Sequence, residues 1–261
     1  GIVGYIGSRD AYPILINGLK RLEYRGYDSA GINLINGESV VYKKKGKVQE
    51  LEDYTQNKDI SGSIGIAHTR WATHGEPTDS NAHPHVSMDG MFTLIHNGII
   101  ENYNELKEIL TEKGYTFKSE TDTEILANLI EYTYKQANGE ADFEMAVRFA
   151  LSKVIGAYGI VVTSTKEPDK LVAARKGSPL VIGIGDNEYF LASDATPIVE
   201  HTKRVIYLNN NEIAVIRHNE LTLKTLDNTR LTPKIQKLNM DIADIQKGGY
   251  EHFMLKEIYE Q

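Results

Sequence analysis

Several short stretches of this chain combine residue types that can do chemistry. Arg70 and Trp71 stand where an apolar run, Ser63 to His68, gives way to an irregular stretch. An arginine at a strand end can clamp a carboxylate through two parallel hydrogen bonds, or it can form a surface salt bridge. His96-Asn97-Gly98 ends a second apolar run. A side-chain amide next to a glycine N–H can hold a developing oxyanion, because glycine lets backbone approach a ligand closely. Asn-Gly is also a common turn, and on spacing alone the turn is the better reading. Ser119-Glu120-Thr121-Asp122-Thr123-Glu124 opens a helix. Its acidic residues can cap that helix, or one of them can hold an ammonium group. Arg25-Gly26-Tyr27-Asp28 lies in a glycine-punctuated loop that can bind something or merely turn.

Five histidines, His68, His74, His83, His85 and His96, crowd into one part of the chain. His83 and His85 are two apart on an extended segment, so both can face one way. A metal site would need more ligands from Glu76, Asp79 or Asp89, and no zinc-protease spacing accompanies the pair. The simpler reading is that these imidazoles bond the backbone of a loop without its own ladder. No metal and no cofactor are expected.

The elements that must position these residues can be read from the pattern. Ile2 to Ile6 is a buried strand. Asp10 is placed to cap a helix through Glu23. Asn36-Gly37 marks a hairpin between Gly31–Ile35 and Ser39–Lys43. Ser63–His68 and Met91–His96 are buried strands, with little periodicity over Thr69 to Asp89. A structureless stretch of that length is usually functional. Asn102 is read as the cap of a helix with Glu105 three residues on. Helices are also predicted over 122–136 and 142–154. Short strands follow at 157–163, 170–174, 179–184, 188–192, 204–208 and 212–217, with a last hairpin near 218–223. Residues 225–261 read as a tail or linker. Strands on both sides of a central helical group argue for antiparallel sheets covered by helices.

Composition narrows the function. The formal net charge is −7, so no basic surface recommends nucleic acid as a partner. No apolar stretch approaches the ~20 residues of a membrane span, and no secretion signal is present. There is no cysteine, hence no disulfide, no thiolate metal site and no thiol nucleophile within these residues. The chain reads as soluble and cytoplasmic.

The order of the motifs says more than any one of them. Gly-Ile-Val-Gly opens the chain and Tyr-Arg-Gly-Tyr-Asp-Ser-Ala-Gly follows at 24–31. Ala-His-Thr-Arg-Trp-Ala-Thr-His-Gly stands at 67–75 and Asn-Ala-His-Pro-His at 81–85. His-Asn-Gly-Ile-Ile-Glu-Asn occupies 96–102, and Ser-Glu-Thr-Asp-Thr-Glu 119–124. Gly-Ser-Pro-Leu at 177–180 and Ala-Ser-Asp at 192–194 complete the set. Over its whole length the chain resembles the glutamine-hydrolysing domain of the class II glutamine amidotransferases, and among them the isomerising glutamine–fructose-6-phosphate aminotransferases.

The resemblance implies an α+β, N-terminal-nucleophile hydrolase fold, a four-layer αββα sandwich of two antiparallel sheets. It implies a domain over 1–240, and over 241–261 the start of a linker towards a sugar-isomerase domain. The implied reaction is hydrolysis of L-glutamine to L-glutamate and ammonia, the ammonia serving glucosamine 6-phosphate synthesis. Arg70 would hold the substrate α-carboxylate and Asp122 its ammonium. Trp71, Thr73 and His74 would lie on the loop over the substrate. Asn97 and Gly98 would form the oxyanion hole, and Arg25 would order the nucleophile. In the family that nucleophile is a cysteine directly before Gly-Ile-Val-Gly. Taken as written, from Gly1, the chain is expected to bind glutamine without forming a thioester. The isolated domain is expected to be a monomer. The alternative is a non-catalytic glutamine- or glutamate-binding regulatory module.

Overall fold

The computed structural model describes residues 1–72, 75–137, 139–140 and 142–239. The expected linker, 241–261, lies outside the described residues, as do Thr73 and His74. Strand β1 (Ile2–Ile6) is buried along its whole length. Successive strand side chains point to opposite faces, and here each face meets its own apolar layer. Ile2 and Ile6 pack with Ile66, Ile95 and Val161. Val3 and Tyr5 pack with Ile14, Leu15 and Leu19.

The same alternation sets the rest of the architecture. After β1 come α1 (Ala11–Leu22), β2 (Ser29–Asn36), β3 (Glu38–Lys45), α2 (Val48–Thr55), β4 (Ile64–Arg70), β5 (His85–Val86) and β6 (Phe92–Ile100). Three helices follow, α3 (Tyr103–Glu112), α4 (Asp122–Gln136) and α5 (Phe143–Leu151). The remaining strands are β7 (Gly156–Ser164), β8 (Lys170–Lys176), β9 (Val181–Ile184), β10 (Tyr189–Ala192), β11 (Arg204–Tyr207), β12 (Glu212–Arg217), β13 (Glu220–Thr225), β14 (Arg230–Leu231) and β15 (Gln236–Lys237). One sheet has the order β15-β11-β9-β10-β1-β4-β2-β3 and the other β14-β13-β12-β8-β7-β6-β5. The outer face of the first sheet packs on α1 and α2. That of the second packs on α3, α4 and α5. Their inner faces meet in a middle layer that includes Ile95, Val161, Leu171 and Ala173. A buried hydrogen bond, Thr163 Oγ1 to Asn33 Oδ1 at 2.8 Å, also ties the sheets together. The four layers match the expected sandwich.

Local expectations failed at four places. Asp10 makes no side-chain cap; the Ala11 N–H instead donates to the Gly62 carbonyl at 2.8 Å. Asn102 does not cap α3 with its side chain either. It bridges outward, accepting from the Ile155 N–H and donating to the Lys153 carbonyl, each at 2.9 Å. Those backbone groups lie between α5 and β7, where no ladder serves them. The expected tail begins too early, since β14 pairs with β13 and β15 with β11. Two-residue strands carry too little alternation to be read from sequence. Finally, β6 runs four residues past His96, so Asn97-Gly98 is not a turn. Helix α2, with only Val48, Leu51 and Thr55 buried, had no sequence expectation.

The part of the irregular stretch over 75–84 folds back on the first sheet. Gly31 of β2 makes room for it: a Cβ there would collide with the His83 carbonyl oxygen. His68, His83 and His85 are consequently buried. The rings of His68 and His83 stack at 4.1 Å, and that of His85 meets His83 edge-on at 4.9 Å. His83 Nδ1 accepts the His96 backbone N–H at 3.3 Å, and its Nε2 bonds Thr123 Oγ1 at 3.4 Å. His85 Nε2 bonds Thr121 Oγ1 at 3.0 Å. Burial holds all three imidazoles well below their ordinary pKa, with nearby positive charge adding to it.

These neutral rings make folding sensitive to acid. Below about pH 6.5 an unfolded imidazole takes up a proton that the folded one refuses. Stability rises with pH wherever the unfolded chain binds more protons, so it is full above that pH and lost below it. Denaturant titrations between pH 8 and 5 should steepen below pH 6.5, by up to about 1.4 kcal/mol per pH unit for each histidine. The same slope on both sides of pH 6.5 would show that the rings are not held neutral.

Candidate active site

At one end of the middle layer the inner faces of both sheets turn polar. Ile66, His68 and Arg70 share a face of β4, while Ile95 and Asn97 share a face of β6. Ile66 and Ile95 belong to the apolar layer. Two residues further on, each strand places a polar side chain in the wall of a cavity of about 390 Å³. Arg25, Arg70, Trp71, Asn97, Gly98 and Asp122 all line it, together with Gly1, His68 and Ser193.

Arg70, the last residue of β4, is buried, which removes the surface salt-bridge reading. Its guanidinium donates to the carbonyls of Gly75 at 3.3 Å and Glu76 at 3.4 Å. Burial lowers its pKa, and the charges of Asp122, Asp28 and Glu120 oppose that shift. A guanidinium keeps its charge at any ordinary pH. The corner after Arg70 is pinned by Asp28. Its Oδ2 accepts the Ala72 N–H at 2.8 Å, and its own N–H donates to the Arg70 carbonyl at 3.0 Å. Trp71 is 58% exposed and meets Tyr27 edge-on at 5.8 Å, so it stands at the cavity mouth. Thr73 and His74, expected on the same loop, lie outside the described residues.

Asn97 and Gly98 sit within β6, opposite Gly159 and Tyr158 of β7. Gly98 has φ 121°, and a Cβ there would collide with the Ala157 carbonyl oxygen. Only glycine fits that backbone. The Asn97 Oδ1 lies 2.9 Å from His68 Nε2, a bond from one sheet to the other.

The start of α4 divides the two roles read into 119–124. Thr121 caps the helix by accepting the Glu124 N–H. Glu124 reaches back to the N–H groups of Lys118 and Ser119, at 2.8 and 2.7 Å. With the backbone so served, Asp122 turns inward. It is buried, and its Oδ2 accepts the Ile100 N–H at 2.9 Å.

Gly1 extends the β1–β4 pairing. Its amine donates to the Thr69 carbonyl at 2.6 Å, and its own carbonyl accepts the Thr69 N–H at 3.0 Å. Burial pushes the amine down to about 5, Arg25 contributes, and Asp194 opposes. Arg25 lies 3.4 Å from Asp194 Oδ2. Ser193 Oγ accepts the Ile2 N–H at 3.1 Å. Sequence reasoning assigned no role to Asp28, His68, Ser193 or Asp194. The Ala-Ser-Asp motif at 192–194 was the only signal pointing to the last two. Among the described residues no three His, Asp or Glu side chains converge as a cation's ligand set. Both ring nitrogens of His83 and Nε2 of His85 are engaged as described above.

Comparison with known proteins follows this geometry. The profile of the family described as "Glutamine amidotransferase domain" matches residues 52–252. A glutamine–fructose-6-phosphate aminotransferase (isomerizing) of Bacteroides thetaiotaomicron is 60% identical over 264 residues, covering 100% of this chain and 43% of its own length. The enzyme of the same name from Chlorobaculum tepidum is 55% identical with the same coverage. The chain thus spans less than half the length of these curated relatives. Among solved structures, the glutamine phosphoribosylpyrophosphate amidotransferase from B. subtilis, complexed with ADP and GMP, matches with a TM-score of 0.73 and 26% identity, over 86% of this chain and 49% of that one. The profile covers more than half of the chain and the sandwich is shared with solved amidotransferases, so the chain belongs to the glutamine amidotransferase domain family and has its N-terminal-nucleophile hydrolase fold.

Proposed function

We propose that this chain hydrolyses L-glutamine to L-glutamate and ammonia, as the glutaminase part of a longer isomerising aminotransferase. The observation that carries the reading is a single cavity lined by Arg70, Asp122, Asn97, Gly98 and Gly1. These supply a cation for a carboxylate, an anion for an ammonium, two donors for an oxyanion and, at Gly1, the residue that the family's nucleophile would precede. A purely regulatory glutamine-binding module would use Arg70 and Asp122 but has no need of the donors at 97 and 98. By analogy with the aminotransferase relatives, the ammonia goes to fructose 6-phosphate on a C-terminal isomerase domain. The glutaminase domain then occupies 1–240, and 241–261 begins the linker. A phosphorylated sugar as acceptor suits a cytoplasmic reaction.

The nucleophile that the family resemblance calls for is a cysteine joined to Gly1. Gly1 pairs with Thr69 and Ile2 with His68, so a preceding residue in the same register falls opposite Arg70. Strand alternation puts its side chain on the face of Ile2, towards the second sheet. Its Cα falls about 3.8 Å from that of Gly1. With the α-carboxylate of glutamine on Arg70 and its ammonium on Asp122, the thiol sulfur attacks the γ-amide carbon. The terminal α-amine takes the thiol proton. The carbonyl oxygen becomes an oxyanion facing the Asn97 Nδ2–H and the Gly98 N–H. The C–N bond then breaks, the nitrogen takes the proton held by the amine, and ammonia leaves a thioester. Water cleaves the thioester, releasing glutamate and restoring the thiol.

Three outcomes test the scheme in the full-length enzyme with cysteine first. Arg70→Ala should weaken L-glutamate binding by about 10- to 100-fold in calorimetry, since hydrogen bonds to charged groups contribute about 1.5–3 kcal/mol. Unchanged affinity would remove Arg70 from the carboxylate site. Asn97→Ala should lower kcat by about 10²- to 10³-fold with little change in KM, because its amide is aimed at charge present only in the tetrahedral intermediate. A raised KM with normal kcat would make Asn97 a substrate-positioning group instead. Finally, the same cysteine behind an uncleaved Met should be nearly inactive, since an amide nitrogen cannot accept the thiol proton. Equal glutaminase rates from the two proteins, each N-terminus verified by mass, would rule out the terminal amine as the base.

A further inference from the structure

We propose that His68 is a positioning residue for this chemistry: as its Nε2–H tautomer it fixes the Asn97 amide so that Nδ2, not Oδ1, is presented to the oxyanion. The inference rests on the reading of Asn97 as an oxyanion donor and names the residue that makes it one. An asparagine side chain can flip by half a turn, exchanging its donor and acceptor. Flipped, it would set oxygen lone pairs against the oxyanion. Nothing within Asn97 itself prevents this, so the choice must come from a neighbour.

That neighbour lies on the other sheet. His68 is on β4 and Asn97 on β6, and Nε2 stands 2.9 Å from Oδ1. A carbonyl oxygen only accepts, so the ring nitrogen must be the donor. The second ring nitrogen, Nδ1, is buried and has no hydrogen-bond partner among the described residues. The opposite tautomer would pair with the flipped amide at Nε2 but would bury an orphan N–H at Nδ1. A donor left unpaired in the interior is costly, and that cost selects Nε2–H. A doubly protonated ring would bury the same orphan donor. Burial disfavours the charged ring, and His96 and Arg70 add to this against the opposing pull of the Asn97 bond, so the ring stays neutral.

The ring cannot easily turn away. It stacks on His83 at 4.1 Å with planes 15° apart. His83 is in turn held by the His96 N–H and Thr123 Oγ1. His68 thus connects the first sheet to the oxyanion donor on the second, backed by a second ring that β6 and α4 hold in place.

The test uses the full-length enzyme with its cysteine first. His68→Leu should lower glutaminase kcat by about 10- to 100-fold, with KM for glutamine within about 2-fold. It should weaken inhibition by the γ-aldehyde analogue of glutamine, whose thiol adduct is tetrahedral, by a similar factor. L-glutamate affinity should stay unchanged. His68→Gln, whose Nε2 can offer a donor at the same reach, should recover most of the rate. In an Asn97→Ala background His68→Leu should cost nothing more. If His68→Leu does not fold, His68→Asn, polar but too short to reach Asn97, takes its place. Wild-type kcat in the Leu or Asn variant beside an impaired Asn97→Ala would overturn this inference alone. So would an equal loss in the Asn97→Ala background. Wild-type kcat in Asn97→Ala would overturn the oxyanion reading and this inference with it.

Discussion

Taking polar groups out of water is costly unless each is paired or uncharged, and the site is organised around that cost. Imidazoles solve it by staying neutral, and neutral rings can stack as His68 and His83 do. Arg70 cannot, because a guanidinium does not release its proton. It is instead surrounded by the carboxylates of Asp122, Asp28 and Glu120 and by the Gly75 and Glu76 carbonyls. The cavity therefore offers a buried guanidinium, Arg70, with the Arg25–Asp194 pair at its wall and the buried Asp122 carboxylate close by. An α-amino acid, carrying one charge of each sign, meets both requirements.

The apolar middle layer is what makes so polar a cavity possible. Its strands stay in register through Ile66, Ile95 and Val161, and the polar side chains of the site appear where the alternation runs off its end. The contributing positions are 1, 25, 70, 97, 122 and 193, far apart in the chain. Each lies in or beside a strand, in the turn after α1, or at the start of α4. A rigid element thus fixes each direction, while the loop bearing Trp71 is pinned to the frame by Asp28.

What could be read from the sequence follows the same division. Buried strands were legible because alternation and apolar runs are local signals. Arg70 and Asp122 were legible as candidates because a charge at an element boundary is conspicuous. On spacing alone Asn97-Gly98 reads as a turn, since the dipeptide looks the same in a hairpin and in a strand forced to φ 121° by its neighbour. Only β7 distinguishes the two, through the Ala157 carbonyl that excludes a side chain at 98. Asp10 and Asn102 were misread for a similar reason: capping is local, and their backbone partners were distant. The roles of Asp28, His68 and Asp194 lie wholly in contacts between elements, which spacing does not carry.

The start of α4 shows how one motif serves two needs. Six residues, 119 to 124, present three carboxylates, and sequence alone cannot say which one binds. The helix N-terminus demands acceptors for its free N–H groups. Thr121 supplies one within the helix, and Glu124 turns back to the two N–H groups just ahead of it. Glu120 is taken by Asn81, which donates to its Oε2 at 3.1 Å. Asp122 alone is left facing the cavity, anchored through Oδ2 to the Ile100 N–H. That N–H lies two residues past Gly98 on β6. The carboxylate proposed to hold the substrate ammonium is thus tethered to the same strand as the proposed oxyanion donors. A shift of α4 against the second sheet would therefore pull on both ends of a bound glutamine together.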